Sequence, residues 1–259
     1  MTFSDFIFDG KRLSDFGMFA GKFNDTNTDN IFEGGEITFK NIKLPYSDKQ
    51  KFCGSSCNTP LSCNFDIIKT DGSFISDMEY SSLMRWLHRP DGYHWLQFIA
   101  DGYDDIFFNS QFTLQAIDVN NHVGFHCSVI TDSPYGYSNE IVKKFSFNGA
   151  NKFIFNDYSD KIGVAYPYVK LIIKENGNLI LKNESYNGTN TTTIKNCKNN
   201  DVIEFYGDES GISGVTNPND FNFVYPVICN TYENIENEIY CNLTLDIEIA
   251  YRMTRMVTV

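Results

Sequence analysis

The chain has 259 residues, enough for one large β domain or two ordinary ones with a hydrophobic core. Apolar residues make up 42% of the sequence and charged residues 21%, a balance that excludes wholesale disorder. The formal net charge of −12 repels phosphate and argues against sequence-specific nucleic-acid binding. Asp5 and Asp9 stand where a signal peptide needs basic and then apolar residues, so we expect a protein made in the cytoplasm without membrane insertion.

Alternation of apolar and polar residues predicts a mainly β fold. Its clearest example is the run 241–251, in which Cys, Leu, Ile and Tyr alternate with polar residues. A second example is 123–129, which has the pattern of a half-buried antiparallel strand. Further strands are predicted at 3–8, 36–42, 63–69, 93–99, 105–117, 141–147, 166–174, 178–182, 202–206 and 222–228.

Two local signals are more specific than alternation. Asn176-Gly177 favours the positive φ angles of a type I′ turn, which predicts a β-hairpin over 168–182. Ser76 and Glu79 have the spacing of a capping box, which predicts a helix over about 77–89. Pro90 follows and ends this helix.

A cluster of turn-forming residues at 131–138 divides the chain almost in half. We therefore predict two domains, residues 1–135 and residues 136–259. The first contains the predicted helix and both tryptophans, whereas the second is predicted to consist of strands throughout. The second half is typical of a β-sandwich or jelly roll.

Cysteine spacing suggests a metal site only weakly. The chain has seven cysteines, an odd number, and no secretion signal, so we predict reduced thiols rather than disulfides. Cys53, Cys57 and Cys63 could hold zinc if His88 or His94 supplied a fourth ligand. The second ligand pair of a zinc ribbon or finger is missing, so we favour small buried side chains and predict no metal.

No catalytic motif is present either. His126 and Cys127 could form a nucleophile pair, but neighbouring strand residues point to opposite faces, and His122 has no triad context. Acidic pairs at 104–105 and 236–238 could serve glycoside hydrolysis, yet 33 acidic residues produce such pairs by chance. We predict no catalytic or cofactor-binding residues and no cofactor.

Several short motifs, in their order along the chain, resemble one family. They are FIFDGK at 6–11, SDFGM at 14–18, LMRWL at 83–87, Gly-Tyr at 92–93, FFN at 107–109, SPYG at 133–136, NGN at 176–178, 223–226 and AYR at 250–252. Together they resemble the distal tail proteins of long-tailed, non-contractile bacteriophages. The resemblance covers nearly the whole chain but departs from the family pattern between about residues 40 and 65.

The resemblance implies two β-sandwich domains, the first with one helix and the second galectin-like. It implies a structural protein without catalysis, in which the first domain forms a ring, a homohexamer, at the tip of the tail tube. The ring would join the tail tube protein to tail-tip or receptor-binding proteins in the virion, after synthesis in the host cytoplasm.

A closed ring with one repeated contact needs two different surfaces on each subunit. Phe3, Phe6 and Phe8 are our candidates for the subunit interface, against the alternative that they belong to the core. A carbohydrate-binding module or host-adhesion protein is the second hypothesis, because the C-terminal half has the pattern of a lectin-type sandwich. A tail-tip hydrolase is the third, and the acidic residues give it no motif.

Overall fold

The structure is a computed structural model that describes residues 3–21, 32–46, 48–118, 121–186, 190–207, 211–231 and 234–257. The fold is mainly β, as the alternation predicted. It contains two compact units: Met1–Ser138 together with Arg255–Val259, and Asn139–Thr254. The sequence places its domain boundary at 135/136, three residues before this division, and does not separate the last five residues from the second half.

The first unit contains one α-helix, α1 (Asp77–Leu87), and most of its other described elements are strands. These strands are β1 (Asp5–Phe8), β2 (Lys11–Arg12), β3 (Met18–Gly21), β4 (Thr38–Lys43), β5 (Gln50–Ser56), β6 (Ser62–Lys69), β7 (His94–Ile99), β8 (Phe108–Asp118) and β9 (His122–Thr131).

Seven of these strands form one sheet in the order β2-β1-β7-β8-β9-β6-β3, while β4 and β5 pair only with each other. The seven-stranded sheet curls on itself, because the amide of Ala20 in β3 donates a hydrogen bond to the carbonyl of Ser4, just before β1, at 2.9 Å. Alternate residues of each strand therefore point into a common interior. That interior is rich in phenylalanine, and Phe6, Phe98 and Phe125 have no exposed surface.

Helix α1 begins where the capping box predicts. The Ser76 amide donates to Glu79 Oε2 at 2.8 Å, and the Glu79 amide donates to Ser76 Oγ at 3.4 Å. The helix ends at Leu87, two residues earlier than predicted. Its apolar side packs on the core, where Trp86 Nε1 donates to the carbonyl of Phe8 at 2.9 Å.

The second unit contains two facing sheets of a β-sandwich. Its strands are β10 (Gly136–Phe147), β11 (Asn151–Asn156), β12 (Gly163–Ala165), β13 (Tyr168–Ile173), β14 (Gly177–Asn183), β15 (Thr191–Cys197), β16 (Val202–Tyr206), β17 (Ile212–Ser213), β18 (Ile228–Asn230), β19 (Glu236–Cys241) and β20 (Leu245–Arg255). One sheet has the order β10-β20-β13-β16-β17 and the other β11-β19-β14-β15, with a short β12–β18 pair beside them. The apolar residues of both sheets form a single core.

The predicted hairpin over 168–182 is wrong. β13 pairs with β16 and β20, whereas β14 pairs with β15 and β19, so the chain crosses from one sheet to the other between them. Neither Asn176 nor Gly177 has a positive φ angle. Gly177 is instead packed closely, since a Cβ there would lie 2.9 Å from Cδ2 of Leu243.

The alternating run at 241–251 is also divided between sheets. β19 ends at Cys241 and β20 begins at Leu245, so residues 242–244 connect the two layers. The predicted strand at 222–228 is wrong for all but its last residue, because β18 begins at Ile228. The strand predicted at 123–129 is confirmed within β9.

Candidate subunit interface

The most exposed part of the first unit is the hairpin formed by β4 and β5, which we call the arm (residues 36–56). Every described residue from 36 to 53 is exposed. Several of them are large and apolar, with Phe39 63% and Phe52 59% exposed and their ring centroids 6.4 Å apart. The other exposed apolar residues of the arm are Ile37, Ile42, Leu44 and Tyr46. An apolar surface of this kind is typical of a protein contact.

The arm also differs from the rest of the chain in charge. It contains Lys40, Lys43, Lys49 and Lys51 against two acidic residues, a net charge of +2 in a chain of net charge −12. A surface that combines apolar side chains with positive charge fits a partner surface that is apolar and acidic.

The base of the arm is held firmly. Glu33 and Ser62 exchange two backbone hydrogen bonds of 2.7 and 2.8 Å, and the Gly35 amide donates to the carbonyl of Thr59 at 3.1 Å. Gly34 has a φ of +96°, and a Cβ there would lie 2.4 Å from the carbonyl oxygen of Pro60, so only glycine fits. The base of the arm is therefore attached to the folded unit at defined positions.

A two-stranded hairpin that packs on nothing is marginally stable in water. Among the described residues β4 and β5 pair with no third strand, so both outer edges of the hairpin are open. Open edges and exposed aromatic side chains favour association with another chain. The arm is accordingly the candidate interface that the structure shows most clearly.

The sequence predicted part of this feature and missed its meaning. The strand predicted at 36–42 corresponds to β4, but β5 was not predicted, because Gln50–Ser56 contains Lys, Gly and two Ser and lacks a buried face. One sequence feature could have indicated an exposed hairpin: residues 36–56 contain both phenylalanines and lysines, without a consistent alternation of apolar and polar residues. Such a composition is unusual for a strand that packs on a core.

The three residues predicted for the interface lie in the core of the first unit. Phe6 and Phe8 have no exposed surface and Phe3 is 9% exposed. Phe6 stacks on Trp86 with centroids 5.9 Å apart, and Phe3 packs edge-on to Phe98 at 4.5 Å. Contacts within the subunit already cover these side chains, so they offer little surface to a neighbouring subunit.

The cysteines considered as metal ligands are separated. None of the seven cysteines forms a disulfide bond in this structure. Cys53 is exposed on the arm, Cys57 donates to the carbonyl of Gly35 at 3.1 Å, and Cys63 is buried on β6. Within the described ranges no group of three His, Cys, Asp or Glu side chains lies close enough to hold a metal ion.

Three of the four histidines, His94, His122 and His126, lie close to aspartates. His126 is exposed and contacts Asp66, whereas the neighbouring Cys127 points into the core, where burial raises the pKa of its thiol. His122 Nδ1 lies 2.6 Å from Asp118 Oδ1. His94 lies at 3.0 Å from Asp91, which also pairs with an arginine. These contacts are typical of polar side chains at a protein surface.

Comparison with known proteins assigns this fold to a class. A family model described as "Phage tail protein N-terminal domain" matches residues 1–133, and one described as "Phage tail C-terminal domain" matches residues 135–251. The chain therefore belongs to this family of phage tail proteins. No curated protein sequence matches it.

Among solved structures, the chain is similar to the Dit protein of phage SPP1, which is described as a paradigm of the hub adsorption apparatus in phages that infect Gram-positive bacteria. The identity is 10% and the TM-score 0.60, with 96% of this chain and 98% of that chain covered. A chain of the phage P2 baseplate matches with 9% identity and a TM-score of 0.49, with coverage of 96% and 98%. In the described part of the chain, no helix is long and apolar enough to span a membrane.

Proposed function

We propose that this protein is a non-catalytic structural component of the phage tail tip, in which copies of the chain form a ring. The observation that carries this proposal is the arm, an extension with at least six exposed large apolar residues on a fold shared with a hub protein. The arm projects from one place on the subunit, so its partner surface is a different one. A repeated contact between two different surfaces closes into a ring when the rotation between subunits allows it.

The proposal assigns separate roles to the two units. The first, residues 1–135 by the sequence-based division, carries the arm and forms the ring, a homohexamer by the family resemblance. The second, residues 136–259, is a galectin-like sandwich that faces outward and contacts tail-tip or receptor-binding proteins. The ring itself joins these proteins to the end of the tail tube. The protein is made in the host cytoplasm and then incorporated into the virion.

The proposal is tested by removing the arm. We expect the full chain, alone or with its tail tube protein, to form rings of about six subunits that are visible by negative-stain imaging and countable by mass photometry. Replacing residues 37–56 by a short Gly-Ser linker between the hydrogen-bonded base positions should leave a folded monomer. The circular dichroism spectrum should keep its β signal, because the arm contributes nothing to either core.

The matched control alters an exposed apolar residue outside the arm and in the second unit, Ile154→Ser, which is expected to form rings as the native chain does. A native chain that stays monomeric at every concentration, with and without the tube protein, would contradict the proposed function. Rings that form equally well without the arm would show that another surface makes the contact.

A further inference from the structure

The arm of one subunit needs a receiving surface on the next, and two open grooves of similar size lie at the two ends of α1. One has a volume of about 810 Å³ and is lined by residues 74–77, Asp118, Asn121 and His122. The other has a volume of about 790 Å³ and is lined by Phe16, Trp86 and basic side chains that include Lys11, Arg85 and Arg89. We call them the acidic groove and the basic groove.

The acidic groove combines apolar and negatively charged surface. Phe74, which lines it, is 57% exposed, and Met78, which follows the lining residue Asp77 in the first turn of α1, is 79% exposed. The side chain of Asp77 is fully exposed and that of Asp118 is 57% exposed. His122 lies between these carboxylates, 2.6 Å from Asp118 and 3.8 Å from Asp77, with its ring stacked on Tyr80.

This surface is complementary to the arm both in its apolar side chains and in the sign of its charge. The arm offers phenylalanines and lysines, and the acidic groove offers Phe74 and two carboxylates, with the exposed Met78 next to Asp77 in the chain. In the basic groove Arg89 pairs with Asp9 and Asp91, but Lys11 and Arg85 leave the lining positively charged, so it would repel the arm. Charge therefore distinguishes two cavities that are similar in size and lie on the same helix.

The positions of arm and groove suit a head-to-tail contact. The base of the arm is tied to Ser62, the first residue of β6, which lies opposite Ile130 near the end of β9. The acidic groove lies at the other end of these strands, beside His122, the first residue of β9. Eight strand residues from Ser62 to Lys69 span about 25 Å. One subunit thus presents its arm and its groove at opposite ends of the same two strands.

We propose that the arm of one copy of this chain docks in the acidic groove of the next copy, with Phe39 and Phe52 on Phe74 and Met78 and with the arm lysines near Asp77 and Asp118. This inference rests on the proposed ring and adds the receiving surface to it. The contact is heterologous, so each subunit gives one arm and accepts one. The exposed state of the arm in the single chain agrees with an arm that does not fold back on its own subunit.

The test uses a cysteine that the arm already contains. Cys53 is exposed, and in a Cys57→Ser background the remaining cysteines are buried. Met78→Cys in this background places a second exposed thiol at the acidic groove, whereas Arg85→Cys places it at the basic groove as the matched control. A short bis-maleimide is added to the assembled full-length protein, and the products are separated on a denaturing gel.

We expect Met78→Cys to give a ladder of covalent oligomers that extends beyond the dimer, and Arg85→Cys to give monomer. A ladder is needed because two copies that exchanged arms with each other would stop at a covalent dimer, which would overturn the head-to-tail contact. A ladder from Arg85→Cys with none from Met78→Cys would overturn the choice of groove while the ring stands. Failure of the native chain to assemble would overturn the ring and the docking site together.

A second measurement does not depend on cross-linking. Asp77→Lys with Asp118→Lys should weaken assembly by roughly tenfold or more, measured by mass photometry over a dilution series, because it reverses two charges of the receiving surface. Arg85→Glu should leave assembly within about twofold of the native chain. An unchanged midpoint of urea unfolding shows that each variant is folded. Equal assembly of the native chain and the double variant would overturn the proposed docking site.

Discussion

At the scale of single residues, the same residue type has two opposite roles in the first unit. Phe6 has no exposed surface and stacks on Trp86, whereas Phe39 is 63% exposed on the arm. Local composition does not separate these cases well, because both phenylalanines lie in short strands that also contain a charged residue. The difference is set by what lies on the other side of each ring, a helix for Phe6 and solvent for Phe39.

This difference predicts unequal effects on stability. Phe6→Ala should lower the free energy of unfolding by about 3–5 kcal/mol, because it opens a cavity in a filled core. Phe39→Ala should change it by no more than about 0.5 kcal/mol, because the side chain loses few contacts within the chain. Urea unfolding followed by tryptophan fluorescence measures both at a concentration where the protein is monomeric. Similar losses for the two variants would show that the arm packs on its own subunit.

At the scale of elements, local sequence predicts the start of α1 more directly than any other element boundary. Ser76 and Glu79 exchange hydrogen bonds, and Lys69 Nζ lies 3.0 Å from Glu79 Oε1. The backbone and hydroxyl of Ser76, with Lys69, lower the pKa of Glu79 from its ordinary value of 4.5 to about 2. The capping contact is therefore fully present above pH 4.5 and is lost as the pH falls toward 2, because protonation removes the carboxylate.

We predict that Ser76→Ala lowers the free energy of unfolding at pH 7 by about 1 kcal/mol, since it leaves the Glu79 amide without its capping partner. The pKa of Glu79, measured by NMR titration of the side-chain carboxyl, should rise from about 2 in the variant, because the hydroxyl of residue 76 no longer donates to the carboxylate while its backbone amide and Lys69 still do. Ser81→Ala is the control, because Ser81 is exposed within the helix and makes no capping contact. A Glu79 pKa that is the same in the native chain and in Ser76→Ala would contradict this account.

The pairing of elements depends less on local sequence. Asn176-Gly177 has the composition of a hairpin turn, yet the chain there passes between the two sheets of the second unit. Alternation shows that β13 and β14 each have a buried face but not which strand lies beside them. In a sandwich, the inner faces of the two sheets bury each other. The many apolar contacts that this burial forms outweigh the preference of one dipeptide for a turn.

At the scale of the whole molecule, charge opposes the proposed assembly. Copies of a chain with a net charge of −12 repel one another, and in the proposed contact the four arm lysines would offset this repulsion. Changing Lys40, Lys43 and Lys51 to glutamate removes the attraction and adds to the repulsion. Both effects act through solvent and weaken as the Debye length falls from about 10 Å at 0.1 M salt to about 3 Å at 1 M.

We therefore predict that the triple lysine-to-glutamate variant assembles much less than the native chain at low salt and approaches it as salt is raised. Mass photometry at matched protein concentration across a salt series measures this difference. Changing Lys143, Lys161 and Lys198 of the second unit to glutamate adds the same charge and serves as the control, with a smaller defect expected. A defect of the arm variant that stays constant across the series would show that the lysines act through packing rather than charge.

The sequence by itself determined the mainly β class, the start of α1 and the strand at 123–129, because each depends on neighbouring residues or on composition. The order of its motifs was enough to indicate a phage tail protein, although each motif alone was weak.

Only the tertiary structure decided that Phe3, Phe6 and Phe8 are core residues and that residues 36–56 stand free as an arm. It also decided that 168–182 joins two sheets and that the acidic groove lies at the far end of β6 and β9 from the arm. Burial and strand pairing are set by residues distant in sequence, since a side chain is buried only when other elements cover it. An interface depends on what remains uncovered, and that is known only when every other contact has been placed.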